Sequence, residues 1–312
     1  MAVGSTVRDR GAPGPGAARH LVHCPPSWDH CLLEAPSRDE ERFRLIGEVP
    51  GADDGPGHFH DPLLVAEAVR ETAEFVGRQY FGGPPDRAGW FRRFGLDVTE
   101  VAAWRAGRGP ARLTAELRAT PTATVDGVPR GLDLRLEVSL DDVPCATGTA
   151  SLAFDPPGPP RERAGRWAVR AAPGPAGARA DPGSVGLASA ADVVLSEPAW
   201  DSRGRLDTWV LLRRDRPADG RLPAPSLLEA VRQASVLVAG RVGGLVPGRT
   251  LPASCDVRVR GLAEVDPPVH CAAVAGPVGR DTAGRPAVPV TLTLTQHRRT
   301  VAEARTTVVQ DF

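Results

Sequence analysis

LPAPSLLEAVRQASVLVAG, residues 222–240, is the stretch from which the rest of the chain can be read. Leu227, Leu228, Val231, Ala234, Leu237 and Val238 recur at helical spacing, so the stretch predicts one helix. Pro225 suits a first turn, where its missing N–H would have no intrahelical partner. Gly240 and then Gly243-Gly244 supply a stop. The second half, SVLVAG, is apolar on nearly every side, which predicts burial. The first half carries Glu229, Arg232 and Gln233. Glu229 and Arg232 lie one turn apart on one face. Charge on a buried helix is costly unless paired, so this is the first place to look for a site.

The motif occurs twice. HDPLLVAEAVRETAEFVGRQY, residues 60–80, contains Glu-Ala-Val-Arg at 67–70, which recurs at 229–232 with a shift of 162. Upstream of each helix the shift is 163, pairing Val22 with Val185, Asp29 with Asp192, Leu32 with Leu195 and Arg42 with Arg205. A shift that changes by one residue over such a span is a duplication with a single insertion or deletion, and repetition on this scale governs the fold.

Composition removes several function classes. Lys+Arg 38 balances Asp+Glu 38, so there is no electrostatic footprint for nucleic acid or an anionic membrane, and neither partner is expected. The chain has no lysine, which rules out a Schiff-base or P-loop lysine. No GxSxG or GxGxxG appears. Cys24, Cys31, Cys145, Cys255 and Cys271 are odd in number, form no CxxC pair and follow no apolar leader, which predicts reduced thiols and a cytoplasmic location. No run approaches the ~20 apolar residues of a membrane span.

In chain order, residues 1–18 are rich in Gly, Pro, Ala and Arg and are expected to be disordered. A first repeat is expected over 19–155, a Pro/Gly/Ala/Arg-rich linker over 156–184 and a second repeat over 185–312. In the first repeat, Leu21-Val22, Cys31–Leu33 and Phe43–Val49 are strand candidates. Asp61-Pro62 opens the helix as N-cap and first residue. Four strand-like runs follow, Gly89–Trp104, Ala111–Thr120, Leu132–Leu140 and Cys145–Phe154, the third alternating strictly. In the second repeat, strands are expected at Asp192–Leu195, Leu206–Leu212, Ser254–Leu262, Val269–Ala275, Val288–Thr295 and Val301–Val309. A long helix beside an antiparallel meander is an α+β unit in which a sheet wraps a helix.

A duplicated β-wrapped helix, with PLLVAEAVR in the first half and DRPAD…PSLLEAVRQA in the second, resembles the A-factor biosynthesis (AfsA-like) hotdog family, the γ-butyrolactone synthases of actinobacteria. The resemblance covers about residues 20–312. It implies a tandem hotdog, and an acyltransferase that joins a β-ketoacyl group, carried as an acyl-carrier-protein thioester, to dihydroxyacetone phosphate. It also implies that Glu67, Glu229 and Arg232 matter for catalysis, with Arg70 the symmetry mate of Arg232. One stretch departs from the family. Where the family has His-Pro-x-Asp-His, this chain has Arg216-Pro217-Ala218-Asp219-Gly220, so both histidines are replaced while Asp219 stays.

Acyl transfer to a hydroxyl needs a polarised carbonyl, a base and two substrates held together. Glu229 or Glu67 is the candidate base. Arg232 is the candidate phosphate grip, because a guanidinium binds phosphate as a bidentate fork. Arg70, His58, His60, Asp219 and Gln233 are candidate substrate-binding residues. The competing reading of Glu229 and Arg232 is an i,i+3 ion pair that seals an interface. Glu67, Arg70, Glu71, Glu74 and Arg78 fall on one stripe, which by pattern alone reads as a solvated face. His58, His60 and Asp61 have a spacing compatible with a metal, but nothing else supports one, so neither metal nor cofactor is expected. Other hotdog chemistry, thioester hydrolysis or dehydration, and a non-catalytic acyl-binding role are the alternatives. A chain that contains both repeats is expected to be a monomer with an internal pseudo-dimer.

Overall fold

The structure, a computed structural model, describes residues 18–21, 31–35, 41–51, 59–83, 89–107, 109–122, 124–154, 178–212 and 220–311. The first half contains β1 (Ala18–Leu21), β2 (Cys31–Ala35), β3 (Arg42–Val49), α1 (Leu64–Gln79), β4 (Trp90–Val98), β5 (Ala111–Thr122), β6 (Gly131–Leu140) and β7 (Val143–Ala153). The second contains β8 (Ala199–Trp200), β9 (Leu206–Val210), α2 (Ala224–Gly243), β10 (Thr250–Val259), β11 (Val269–Ala275), β12 (Gly279–Arg280), β13 (Pro286–Gln296) and β14 (Arg299–Gln310). Most of the expected disordered N-terminus and of the expected linker lies outside the described residues; Ala18, placed in that N-terminus by composition, begins β1.

All strands join one antiparallel sheet in the order β1-β2-β3-β5-β6-β7-β4-β10-β14-β13-β11-β9-β8, with β12 on β13. The two halves are mirrored in this order about the β4–β10 pair. In each, the first strand after the helix lies innermost and the strand before the helix lies towards the edge. α1 packs on β4 and β6, and α2 on β9, β10, β11, β13 and β14. Each half is therefore a helix wrapped by its own antiparallel strands, joined through β4 and β10 with Gly95 opposite Asp256. This is the tandem hotdog that the resemblance implies.

Strand periodicity decides which side chains enter the core. In β6, Leu132, Leu134, Leu136, Val138 and Leu140 are buried while Asp133, Arg135 and Glu137 face water, the alternation a half-buried strand requires. α2 runs three residues past the expected Gly240 and ends at Gly244, whose φ of 69° is the left-handed conformation that favours glycine. Its SVLVAG half is buried along Ser235–Ala239, as its all-round apolarity predicts.

Three expectations are corrected. The strand expected over Gly89–Trp104 stops at Val98; Val101–Trp104 is a 3-10 turn capped by the Glu100 side chain, which accepts the Ala102 N–H at 3.1 Å. Asp192–Leu195 is not a strand. Ala190–Asp192 form a 3-10 turn capped by Ser189, the Val194 N–H donates to the Gln233 side chain at 2.9 Å, and only Leu195 makes a β-bridge, to Val210. A helix side chain has taken the donor that a ladder would need. The charged stripe of α1 is not a solvated face, because Glu74 is buried and Arg70 is largely covered.

Candidate active site

α2 brings Glu229, Arg232 and Gln233 together because residues three and four apart stack on one helical face. The Arg232 fork is bidentate on Glu229, with Nε to Oε2 at 2.9 Å and Nη2 to Oε1 at 2.6 Å. Gln233 is fully buried. Its amide donates to Glu229 Oε1 at 2.6 Å and to the Asp192 carbonyl at 2.9 Å. Glu229 thus accepts three N–H bonds on two oxygens.

The same guanidinium reaches the other repeat, where Arg232 Nε lies 3.4 Å from Asp61 Oδ2. Asp61 lies just ahead of α1, where its Oδ1 accepts the Leu63 N–H at 2.9 Å; the expected Asp61 cap is corrected, because the N-cap of α1 is Leu63 and no side chain caps it. The helix proper begins at Leu64, after an Asp61–Leu63 turn. Burial opposes the charge on Arg232, but Glu229 and then Asp61 outweigh it and hold the guanidinium pKa above its ordinary value.

Arg232 and Asp61 also line a small cavity of about 60 Å³ between the repeats, together with Phe59, His60, Val236 and the Pro247–Pro252 segment. At ~30 Å³ per water this is room for about two waters. His60 is buried, and burial lowers its pKa, an effect partly offset by a hydrogen bond to the Pro50 carbonyl. A neutral imidazole therefore stands beside the Asp61–Arg232 pair at neutral pH. Two further ion pairs tie the halves together nearby, Arg105 to Asp311 at 2.5 Å and Arg93 to Asp256 at 2.8 Å.

The remaining candidates are placed differently. Glu67 is half-buried in the first turn of α1 and is not among the residues lining the cavity. Arg70 pairs along its own helix, with Glu74 at 2.5 Å and with Glu71. Glu74 also accepts from Arg78 at 2.7 Å, and burial raises its pKa although Arg70 and Arg78 pull it down. His58 and Asp219 lie outside the described residues. Two features of the site have no counterpart among the sequence expectations. One is Asp61 as the cross-repeat partner of Arg232, whose only local signal is its expected capping position. The other is the Asp192 carbonyl, for which no local signal exists.

Set against known proteins, the chain matches the A-factor biosynthesis hotdog domain twice, over residues 12–154 and 170–310. The chain belongs to the A-factor biosynthesis hotdog family. It is similar to the 2-oxo-3-(phosphooxy)propyl 3-oxoalkanoate synthase of Streptomyces griseus, 32% identical over 235 residues that cover 73% of each chain. A protein of the same name from Streptomyces coelicolor is 32% identical over 249 residues, 76% of this chain and 75% of that one. Among solved structures, the 12:0-ACP thioesterase of Umbellularia californica superposes with a TM-score of 0.52 at 15% identity, covering 87% of this chain and 95% of the other. A Novosphingobium aromaticivorans protein gives 0.52 at 16% identity, covering 92% and 99%. At such identities these two neighbours establish the hotdog fold of the family member and nothing of its chemistry. No helix among its described residues is long and apolar enough to cross a membrane.

Proposed function

We propose that this chain transfers a β-ketoacyl group from an acyl-carrier-protein thioester to the hydroxyl of dihydroxyacetone phosphate, as a cytoplasmic enzyme in the biosynthesis of γ-butyrolactone signals. The observation that carries the reading is the polar wall of the seam cavity, in which an arginine and an aspartate from opposite repeats meet beside a neutral histidine. The synthases to which the chain is similar support it, since their name describes a 3-oxoacyl ester of a phosphorylated triose. Both repeats of one chain contribute to the cavity, which supports a monomer that needs no second copy.

The chemistry follows from the geometry. A guanidinium is suited to a phosphate, and Arg232 is the cavity-lining arginine on α2. Glu229 orients it, because both carboxylate oxygens are already engaged by Arg232 and Gln233. For Glu229 to act as the base, Arg232 would first have to leave it. Holding donor and acceptor next to one another at the seam lowers the barrier by converting a bimolecular encounter into a local one.

The test mixes the purified chain with a β-ketoacyl carrier protein, with and without dihydroxyacetone phosphate, and follows products by mass. A new phosphorylated ester that forms only with the triose supports the reading. Free β-keto acid would assign the chain to thioester hydrolysis instead, and unchanged thioester would assign it to acyl binding without turnover. Glu229→Gln should cut transfer at least ~10²-fold, the scale of losing a catalytic group or its orientation; an unchanged rate would remove Glu229 from the site.

A further inference from the structure

On the face of the sheet turned towards water, register fixes one row of side chains that crosses both repeats. Gly95 and Asp256 stand opposite each other at its centre, in the β4–β10 pair. Outward into the first repeat the row runs through Thr149, Arg135, Arg118 and Arg42, on β7, β6, β5 and β3. Outward into the second it runs through Arg305, Thr291 and Val274, on β14, β13 and β11. The first repeat thus sets three guanidiniums side by side on neighbouring strands. Like charges directly opposite one another destabilise a sheet. The second repeat has Thr291 and Val274 at the places of Arg135 and Arg118, so the fold itself does not call for the arginines.

The charge is not neutralised on the spot. Among the described residues no carboxylate forms an ion pair with Arg118 or Arg135. Glu116 and Glu137 stand opposite each other in the next row, and Glu116 lies 3.9 Å from Arg44. Elsewhere exposed arginines have an acid, as Arg93 has Asp256, Arg205 has Asp207 and Arg260 has Glu303.

Arg118 and Arg135 line a bowl of about 600 Å³, against about 60 Å³ at the seam. A volume of that order suits a small molecule. Thr120, Thr149 and Ser151 bring hydroxyls to its wall, Asp133 brings a carboxylate, and Arg93, already held by Asp256, closes one side. Neighbouring guanidiniums grip a phosphate through charge-assisted, bidentate hydrogen bonds. An anion between them also cancels their repulsion. Asp133 repels a bare anion but accepts from a hydroxyl, so it favours a phosphate attached to a hydroxylated body.

We infer that this bowl is a second ligand site, which takes a phosphomonoester of a small polyhydroxylated molecule, with its phosphate on Arg118 and Arg135 and a hydroxyl on Asp133. β6 turns its leucines to the side that carries α1 and Asp133 and Arg135 to the other, so the site is separate from the seam and independent of the acyl-transfer reading.

The experiment titrates the full chain with ribose 5-phosphate, inorganic phosphate and ribose by calorimetry, and follows thermal unfolding. The variants are Arg118→Gln, Arg135→Gln and Asp133→Ala. Arg305→Gln, the same charge change on the same face of the second repeat, is the control. All four side chains are exposed, so folding is not at stake. The expected result is saturable binding of ribose 5-phosphate, tighter than that of inorganic phosphate, and none of ribose. Affinity should fall about tenfold or more in each arginine variant and stay within twofold of the parent in Arg305→Gln. Asp133→Ala should narrow the preference for ribose 5-phosphate over inorganic phosphate. Without ligand, each arginine variant should raise Tm by up to ~3 °C, because a like-charge neighbour is gone. Absence of saturable binding, binding that both arginine variants retain, equal weakening in Arg305→Gln, or inorganic phosphate bound as tightly as ribose 5-phosphate would each overturn the inference. A Tm lowered in both arginine variants would also overturn it, since the arginines would then serve the fold.

Discussion

Replacing Arg232 by Met tests whether the seam is held by charge. The Arg232 side chain is 11% exposed and that of Glu229 is 13% exposed, so the pair is largely desolvated. Met preserves most of the apolar stem but removes the fork, leaving Glu229 with the hydrogen bond from Gln233 and taking the guanidinium from Asp61. Breaking a buried pair on one side typically costs 3–5 kcal/mol, because a charge stays buried without its partner. We expect a loss of about 3–5 kcal/mol in unfolding free energy, read from equilibrium urea unfolding by tryptophan fluorescence and circular dichroism. Removing both charges, in Glu229→Leu with Arg232→Met, should recover much of it. What stays lost is on the order of 1 kcal/mol for the hydrogen bond from Gln233, together with the contact to Asp61. A single variant within ~1 kcal/mol of the parent, or a double variant as unstable as the sum of the two singles, would refute the claim that the desolvated Glu229–Arg232 pair stabilises α2 at the seam.

Other outcomes follow from packing and titration. A Cβ on Gly77 would sit 2.3 Å from the Phe154 ring, so Gly77→Ala should destabilise by about 1–3 kcal/mol, and Phe154→Leu in the same chain should restore much of that; no loss in the single variant would mean that α1 and Phe154 are not in contact. His60 has a folded pKa below its unfolded value near 6.5, so the unfolded chain binds the proton more readily. Stability is complete above about pH 6.5 and falls on acidification by up to ~1.4 kcal/mol per pH unit, and His60→Gln should flatten that slope in pH-dependent unfolding. Burial pushes the thiol of Cys145 up to about 11 and those of Cys255 and Cys271 up to about 12. All three should resist an aromatic disulfide reagent at pH 8 in the native chain and react on denaturation; rapid native labelling of any of them would contradict their burial.

Elements with a strong period are legible in the sequence. The apolar spacing of α2 and the strict alternation of β6 each report a local repeat, and both elements stand within a few residues of where the pattern puts them. Val269–Ala275 is legible residue for residue. Two of the failures have a common cause. Asp192–Leu195 carries strand-like valines, but a Gln233 side chain from a helix claims the Val194 N–H. The stripe of α1 has the spacing of a wet face, yet Glu74 is covered by the Gly89 and Leu152 region of the sheet. Neither outcome leaves a trace in the local pattern, because each depends on what another element brings to the spot.

What the sequence determined by itself was the module and its duplication. Helical and strand periods are properties of neighbouring residues, and the Glu-Ala-Val-Arg repeat is visible as letters. It also put Glu229 and Arg232 on one face, since three residues nearly complete a turn. Only the tertiary structure decided which acid from the other repeat would meet that arginine. Asp61 and Arg232 come together because β4 pairs with β10 and sets the two helices in a fixed relation, and a contact between residues so far apart in the chain has no period to announce it.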